Sequence, residues 1–445
     1  MIEPDQREGS LPPLFGLVHA TDPRTADRLR QHGIQTVKTD QLFDLLGEVR
    51  DEGGGRLSYD GTRLVAVVRT ITGMGAQPVL GLDFTPVVLS TRPHLENSAR
   101  RSVPPTDYRA WERLVTVAVE RARRDAGQRG VDWEVWNEPD LGLFWDVNAR
   151  TVTRWAGLAR DAEVWTPSPV RPAAAGEFND IARLIEYIRL YRASVRGANQ
   201  ADSTARVGGP GTSSFRPRWI KGLLNACAEQ RLRVDFLSWH YPASPDDIPE
   251  TVRMARHWTR RLPSRTPSIF ITEWNERIVP SRADLQAATA VLSFLKAFAD
   301  AGVTRSLYYA TTALWDSTMT PTPVMMAFEA FAHLRGDRVR GRPSSHADGI
   351  ATVGPKGRLS VLFWTATPER VPLRIVIRGR TAGNHREPYV MSLIETAAGA
   401  AYRTSTSHGR LAASPSPSSA EAWLMTTVSG PAFGVLTVDL DGTGG

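Results

Sequence analysis

Two glutamates occupy settings that suit acid–base and nucleophilic chemistry. Glu138 lies in Trp136-Asn137-Glu138-Pro139-Asp140, at the end of the run Trp133–Asn137. Glu273 lies in Phe270-Ile271-Thr272-Glu273-Trp274-Asn275, at the end of another. A carboxylate where an apolar run stops sits at the rim of a core. Two such groups can work as a pair, one protonating a leaving oxygen while the other attacks the carbon it leaves. Cleaving a glycosidic bond with retention of configuration needs that pair about 5–5.5 Å apart. It also needs their pKa values pushed apart, with the acid in a drier or more negative place and the nucleophile held ionised by donors. Asn137 is of the right type to reach a sugar 2-hydroxyl, and Pro139 fixes the turn after Glu138.

Something must hold two residues so distant in the chain face to face. From residue 14 to about 334, short apolar runs alternate with amphipathic segments, the pattern of a parallel sheet or barrel. The predicted strands are Leu14–Val18, Thr36–Lys38, Pro78–Leu82, Trp133–Asn137, Ala205–Gly208, Phe236–Trp239, Ser268–Thr272 and Ser306–Tyr309. Helical patterns such as Thr62–Thr72, Tyr108–Ala126, Asn179–Ala198 and Trp219–Gln230 separate them, and Pro323–Arg335 closes the series. Eight repeats match a closed (β/α)8 TIM barrel, whose active sites lie at the C-terminal ends of the strands. Strands four and seven then face each other across one pocket. The open doubly wound sheet, the alternative, calls for a Gly-rich phosphate turn after an early strand, and here His19-Ala-Thr-Asp follows the first. Gly208-Gly209-Pro210-Gly211 lacks the P-loop Lys-Ser/Thr and reads as a tight loop where backbone passes close to a ligand or strand.

After Arg335 the pattern becomes short alternating runs between Gly, Pro and Ser turns, from Ile350–Val353 to Phe433–Val438. The expected fold is therefore α/β: residues 1–13 an N-terminal segment, 14–335 the barrel, and 336–445 a smaller all-β sandwich, completed by a strand from the N-terminus. Ala412–Ala420 is low-complexity and reads as a mobile loop, and an irregular insertion is expected from about Asp146 to Gly176.

The 445 residues carry 54 Lys and Arg against 47 Asp and Glu, a net charge of +7. The basic residues are scattered and form no arm or stripe, which argues against a nucleic-acid partner. The single cysteine, Cys227, rules out an intramolecular disulfide and a cysteine-based zinc site, and reads as a small buried helix residue. No run reaches the roughly 20 apolar residues a membrane span needs. The first ten residues lack the basic and apolar regions of a signal peptide, so a cytoplasmic location is expected.

With these motifs in place, the sequence resembles the clan A glycoside hydrolases, and is most similar to glycoside hydrolase family 39, the β-xylosidases and α-L-iduronidases. The resemblance rests on Trp133-Glu134-Val135-Trp136-Asn137-Glu138-Pro139-Asp140-Leu141 with Phe144-Trp145, on Val207-Gly208-Gly209-Pro210, on Asp235-Phe236-Leu237-Ser238-Trp239-His240-Tyr241, and on Glu273-Trp274. It implies Glu138 as acid/base, Glu273 as nucleophile, Asn137 on the sugar, His240 and Tyr241 lining the pocket, and Trp315 as the ring on which the sugar stacks. It implies a β-xylosidase-like hydrolase of plant or microbial oligo- or polysaccharides. Family members often carry Arg and His at the end of the second strand, where this chain has Lys38 and Asp40. Lys38, Asp83 and His19, at strand ends, are further candidates for sugar contact. For Lys38 an ion pair with Asp40 or Glu134 is the plainer reading. Glu134 reads as a structural, paired carboxylate, Trp274 as a core aromatic, and Glu276 as loop surface. The expected partner is a carbohydrate, with no metal and no organic cofactor. A non-catalytic sugar-binding barrel and a transglycosylase using the same two glutamates are the alternatives.

Overall fold

The computed structural model describes all residues except 44–45, 95–100, 126–129, 148–174, 261, 263–265, 277–283, 310, 345, 379–387, 398–399, 414–420 and 441–445. Most of the insertion expected near 146–176 and of the low-complexity stretch 412–420 lies outside the described residues.

The chain opens with β1 (Ile2–Ser10) and enters the barrel through β2 (Gly16–Val18), α1 (Pro23–Gln31) and β3 (Thr36–Thr39). A hairpin, β4 (Glu48–Asp51) and β5 (Leu57–Asp60), precedes α2 (Thr62–Gly73) and β6 (Gln77–Leu82). There follow α3 (Tyr108–Asp125), β7 (Asp132–Val135), α4 (Ala175–Ala201), β8 (Arg206–Thr212), α5 (Pro217–Gln230), β9 (Phe236–His240), α6 (Ile248–Thr259), β10 (Ser268–Trp274), α7 (Leu285–Ala301), β11 (Arg305–Tyr308) and α8 (Pro323–Ala332). Strands β2, β3 and β6 to β11 close a barrel in chain order, with parallel neighbours throughout. The helix starts follow from local chemistry. Asp22 accepts from the Arg24 N–H before Pro23, Asp284 from Ala287, and Thr322 from Met325 before Pro323. Each cap satisfies an N–H that the first helical turn leaves free.

The barrel interior is layered. Near the N-terminal ends of the strands, Asp132 pairs with Arg206 at 2.6 Å and Arg305 at 3.1 Å. Val79, Phe236 and Phe270 form an apolar plug above. Over the plug lie Lys38, Glu134 and Thr272, all fully buried, and above them the carboxylates of the strand ends. Glycines allow close strand approach: a Cβ on Gly208 would strike the carbonyl of Phe236, and one on Gly209 the hydroxyl of Tyr187. The expected close passage of backbone at this turn is therefore present, against neighbouring strand and helix.

The second unit comprises β12 (Asp337–Gly341), β13 (Asp348–Val353), β14 (Arg358–Thr365), β15 (Arg370–Arg378), β16 (Pro388–Ala397), β17 (Ala400–Arg410), β18 (Ala412–Ala413), β19 (Glu421–Ser429) and β20 (Ala432–Asp439). With β1 they form one continuous sheet in the order β17-β16-β20-β14-β13-β12-β1-β15-β19-β18. The sheet folds over itself, because Leu373, Ile375 and Leu424 from one end share an apolar cluster with Val361, Met391 and Leu436 from the other. The N-terminal strand is the junction, antiparallel to β12 and parallel to β15. On the barrel side, Ile350, Leu362, Trp364 and Phe433 join the main core, and the Trp364 indole donates to Ser293 of α7 at 3.1 Å.

Candidate active site

Glu138 owes its direction to an irregular strand end. Through Glu134 the side chains of β7 alternate regularly, and Glu134 faces the axis, where it accepts from the Thr272 hydroxyl at 2.8 Å. Trp136 then adopts a left-handed φ of 69° and Glu138 one of 47°. Such values are uncommon outside glycine and persist where surroundings enforce them. The Trp136 ring is anchored outward, 4.5 Å from Trp145 and 5.2 Å from Phe84 between centroids, with its N–H on the Phe144 carbonyl at 2.9 Å. The Glu138 N–H donates to Gly211 O at 2.9 Å, and Asp140 is held by Ser213 and Arg216. In consequence Asn137 and Glu138, adjacent in sequence, both address the barrel centre.

Glu273 follows a similar rule. The pairing of β10 with β9 slips between Ile271 and Glu273, and that with β11 between Ile271 and Trp274. Such a slip lets successive residues share one face. Thr272 reaches Glu134 while Glu273 reaches Lys38. Trp274 is directed outward, among Phe294, Phe298, Tyr308 and Phe328, and is the core aromatic expected.

Lys38 organises the floor. Its Nζ lies 3.0 Å from Glu134 Oε2, 3.0 Å from Glu273 Oε1 and 3.1 Å from Asn137 Oδ1. Burial opposes its charge, but Glu134, Glu273 and Asp40 outweigh that and raise its pKa above the ordinary lysine value. For Glu273 burial likewise opposes the charge, and Lys38 and His240 overcome it to hold the carboxyl below its usual range. His240 bridges the two acids, with Nδ1 2.9 Å from Glu138 Oε1 and 3.9 Å from Glu273 Oε2. The other ring nitrogen of His240, Nε2, lies 3.5 Å from the Lys38 Nζ. Ligand atoms of Glu138, His240 and Glu273 all lie within 4.8 Å of one another. Such a trio could take a cation, but the Lys38 ammonium already supplies positive charge beneath it.

Tyr241 has φ 35° and donates its N–H to Glu273 O at 2.9 Å, which keeps it on the pocket side despite strand alternation. Burial, with Glu273 and Glu138 nearby, raises its phenol pKa. His19, with its side chain 43% exposed, stands at the mouth, 3.7 Å from Asp40 Oδ2, with Tyr309 against its ring. Tyr309 was not among the expected site residues. An aromatic closing the eighth strand is the signal that pointed to it.

Four expectations need correction. Trp315 is not brought to the pocket. Its ring packs on His32, just past the C-terminal end of α1, in a loop bridged to Pro321, because Arg28 and His32 draw this segment along the outer flank of the barrel. Lys38 and Asp83, as deeply buried as His240, are engaged within the protein rather than offered to a sugar: Lys38 makes the ion pair with Glu134 that was its plainer reading and a second with Glu273, and Asp83 accepts the Gln41 N–H at 2.6 Å. Glu276 is half-buried and accepts from the Tyr308 hydroxyl at 2.6 Å. Glu134 and Cys227 are as expected, the one paired and the other buried in α5 with its thiol pushed up to about 12 by burial.

Two carboxylates and a histidine at the C-terminal mouth of a (β/α)8 barrel, one acid held ionised by a buried lysine, define the class: this is a glycosidase. The model of "Glycosyl hydrolases family 39" matches residues 20–156 and 163–260, more than half of the chain. The chain belongs to that family. A β-xylosidase of Geobacillus stearothermophilus is 24% identical over 388 residues, covering 77% of this chain and 68% of the relative. The fold is shared with a family 39 enzyme from Xanthomonas axonopodis pv. citri, at TM-score 0.72 and 19% identity over 98% of this chain and 96% of that one. It is also shared with a monomeric β-xylosidase from Caulobacter crescentus CB15, at TM-score 0.70 and 15% identity over 98% of each chain. Among the described residues, no helix is long and apolar enough to cross a membrane.

Proposed function

We propose that this glycosidase hydrolyses β-xylosides or closely similar glycosides with retention, by double displacement, with Glu273 as nucleophile and Glu138 as acid/base. In the first step Glu273 attacks the anomeric carbon as its bond to the leaving oxygen breaks, and Glu138 gives that oxygen its proton. In the second, Glu138 takes a proton from water, the water oxygen bonds to the anomeric carbon, and Glu273 leaves. Two inversions restore the starting configuration. Lys38 keeps Glu273 ionised for attack, and His240 orients Glu138. With its carbonyl oxygen engaged by Lys38, Asn137 offers its amide N–H groups to the sugar 2-hydroxyl. The observation that carries the reading is the approach of the two carboxylates to within 4.8 Å, near the roughly 5–5.5 Å of retaining enzymes. The xyloside preference is drawn from the Geobacillus and Caulobacter relatives, both named β-xylosidases. Residues 14–335 carry the chemistry in this reading, and 336–445 with the N-terminal strand brace it.

Activity on aryl β-xylosides, compared among wild type, Glu138→Gln and Glu273→Gln, tests the assignment. Each variant should lose turnover by orders of magnitude. Azide should partly rescue Glu273→Ala as a glycosyl azide of inverted configuration, and Glu138→Ala as one of retained configuration. Wild-type turnover in either glutamine variant defeats the proposal.

A further inference from the structure

The end of β3 carries an acid that the mechanism leaves unused. Asp40 follows Thr39, on the same strand face as Lys38, and is 6% exposed. Its Oδ2 lies 3.7 Å from His19 at the mouth, while its Oδ1 is buried and has no hydrogen-bond partner among the described residues. Beside it, Asp83 Oδ2 is also buried and unpartnered. The Asp83 carboxyl and the Cβ of Asp40 stand together over Gly81, where an added Cβ would come within 3.0 Å of both Asp83 oxygens and of Asp40 Cβ. A buried acceptor without a donor costs about 1–3 kcal/mol, so such an atom marks a place where a donor is wanted. Asp40 thus stands between His19 at the mouth and Lys38, two residues before it on the same strand face. Burial raises the pKa of both Asp40 and Asp83, and Lys38, joined by His19 at Asp40 and by the Gln41 N–H at Asp83, acts against it.

The charge of this layer is lopsided. Asp40, Asp83, Glu134, Glu138 and Glu273 face a single Lys38, whose ammonium is already held between Glu134 and Glu273. Among the described residues, a ligand carboxylate would find no cation here beyond Lys38 except through His19.

We propose that Asp40, braced from below by Asp83, is a specificity-determining residue that accepts a ring hydroxyl of an uncharged glycosyl unit and turns away sugars bearing a carboxylate. The proposal rests on the glycosidase reading of this pocket and names the class of sugar it takes. Asp40 contacts the ligand, and Asp83 acts through it as a positioning residue.

Binding without turnover tests it on the full chain. The probes are phenyl 1-thio-β-D-xylopyranoside, its 3-deoxy and 4-deoxy analogues, and the matching thioglucoside and thioglucuronide, with calorimetry or tryptophan fluorescence as readout. In wild type, removing one of the two hydroxyls should weaken binding at least tenfold, and the glucuronide should bind at least tenfold more weakly than the glucoside. In Asp40→Ala the deoxy penalty should fall below threefold, and in Asp40→Asn the discrimination against the glucuronide should shrink tenfold. Asp83→Asn, which keeps the shape of the brace, should preserve the deoxy pattern that Asp83→Ala loses. Equal deoxy penalties in wild type and Asp40→Ala overturn the proposal, as does a glucuronide bound as tightly as the glucoside. Should the pocket admit neither hexoside, the deoxy comparison alone decides. Lost hydrolysis in the two glutamate variants without the Asp40 pattern sinks this inference alone. The Asp40 pattern with turnover intact in those variants sinks the catalytic reading alone.

Discussion

Replacing Lys38 by methionine should move the acid limb of the pH–activity profile upward. In wild type the Glu273 carboxyl is held below the ordinary glutamate range by the ammonium 3.0 Å away and by His240, against the effect of burial. At an effective dielectric of about 20, two unit charges at that distance interact by about 5.5 kcal/mol, a ceiling of roughly 4 pKa units. Glu134 holds the same ammonium at the same 3.0 Å, so only part of that interaction is available to Glu273, and a rise of about 2 units is the expected outcome. The sign follows from the depressed native pKa. The ionised, active form is present above it and lost as pH falls through it, so removing the cation moves that loss to higher pH. The assay is kcat/KM for an aryl glycoside from pH 3 to 9, whose acid limb reports the nucleophile of the free enzyme. Wild type should lose activity only at a pH below the ordinary glutamate range, and Lys38→Met at clearly higher pH. Removing one partner of a buried ion pair costs about 3–5 kcal/mol, so the single variant can fail to fold. Lys38→Met with Glu134→Gln removes the orphaned charge too, and should recover most of the stability while keeping the shifted limb. An acid limb within about 0.3 units of wild type in that folded double variant would refute the assignment of Lys38 as the group that holds Glu273 ionised.

Three further outcomes are expected. Trp315→Ala should leave KM within about twofold and lower the urea midpoint by the equivalent of about 1–3 kcal/mol, since the ring packs on the barrel flank, whereas Tyr241→Ala should raise KM. A Gly208→Ala chain should unfold at lower temperature, by about 1–3 kcal/mol of stability, because the new Cβ meets the Phe236 carbonyl of the adjacent strand. Deleting residues 1–10 should lower the melting temperature and promote aggregation, seen by light scattering, because β12 and β15 would become bare sheet edges.

Much of this molecule is written in local pattern. Barrel strands carry apolar runs because helices cover them outside and side chains fill them inside, and caps such as Asp284 and Thr322 mark helix starts through bonds two or three residues long. Those signals give eight strands in order, and their order sets Glu138 and Glu273 opposite each other. Strands without that signature escaped notice. The β4–β5 hairpin and β12 are short and largely polar, and β17, Ala-Ala-Tyr-Arg-Thr-Ser-Thr-Ser-His-Gly-Arg, is an edge strand, paired among the described residues only with β16. An edge strand needs no continuous apolar face and is better protected without one.

The fine geometry of the site was decided by contacts distant in sequence. Regular alternation cannot place both Asn137 and Glu138, or both His240 and Tyr241, on one face. Left-handed residues at Trp136, Glu138 and Tyr241 do so, and the bonds that hold them reach to Gly211 and Glu273. Nor does spacing reveal that Lys38 meets Glu134 and Glu273, or that Asp40 and Asp83 stand together over Gly81, since barrel closure alone brings those strand ends together. Sequence alone thus determined which residues could do the chemistry and on which strands they ride, because secondary structure is encoded in short-range period. Their protonation, their final direction and the displacement of Trp315 to the flank came only from tertiary structure, because burial, charge pairing and strained backbone are properties of the assembled neighbourhood.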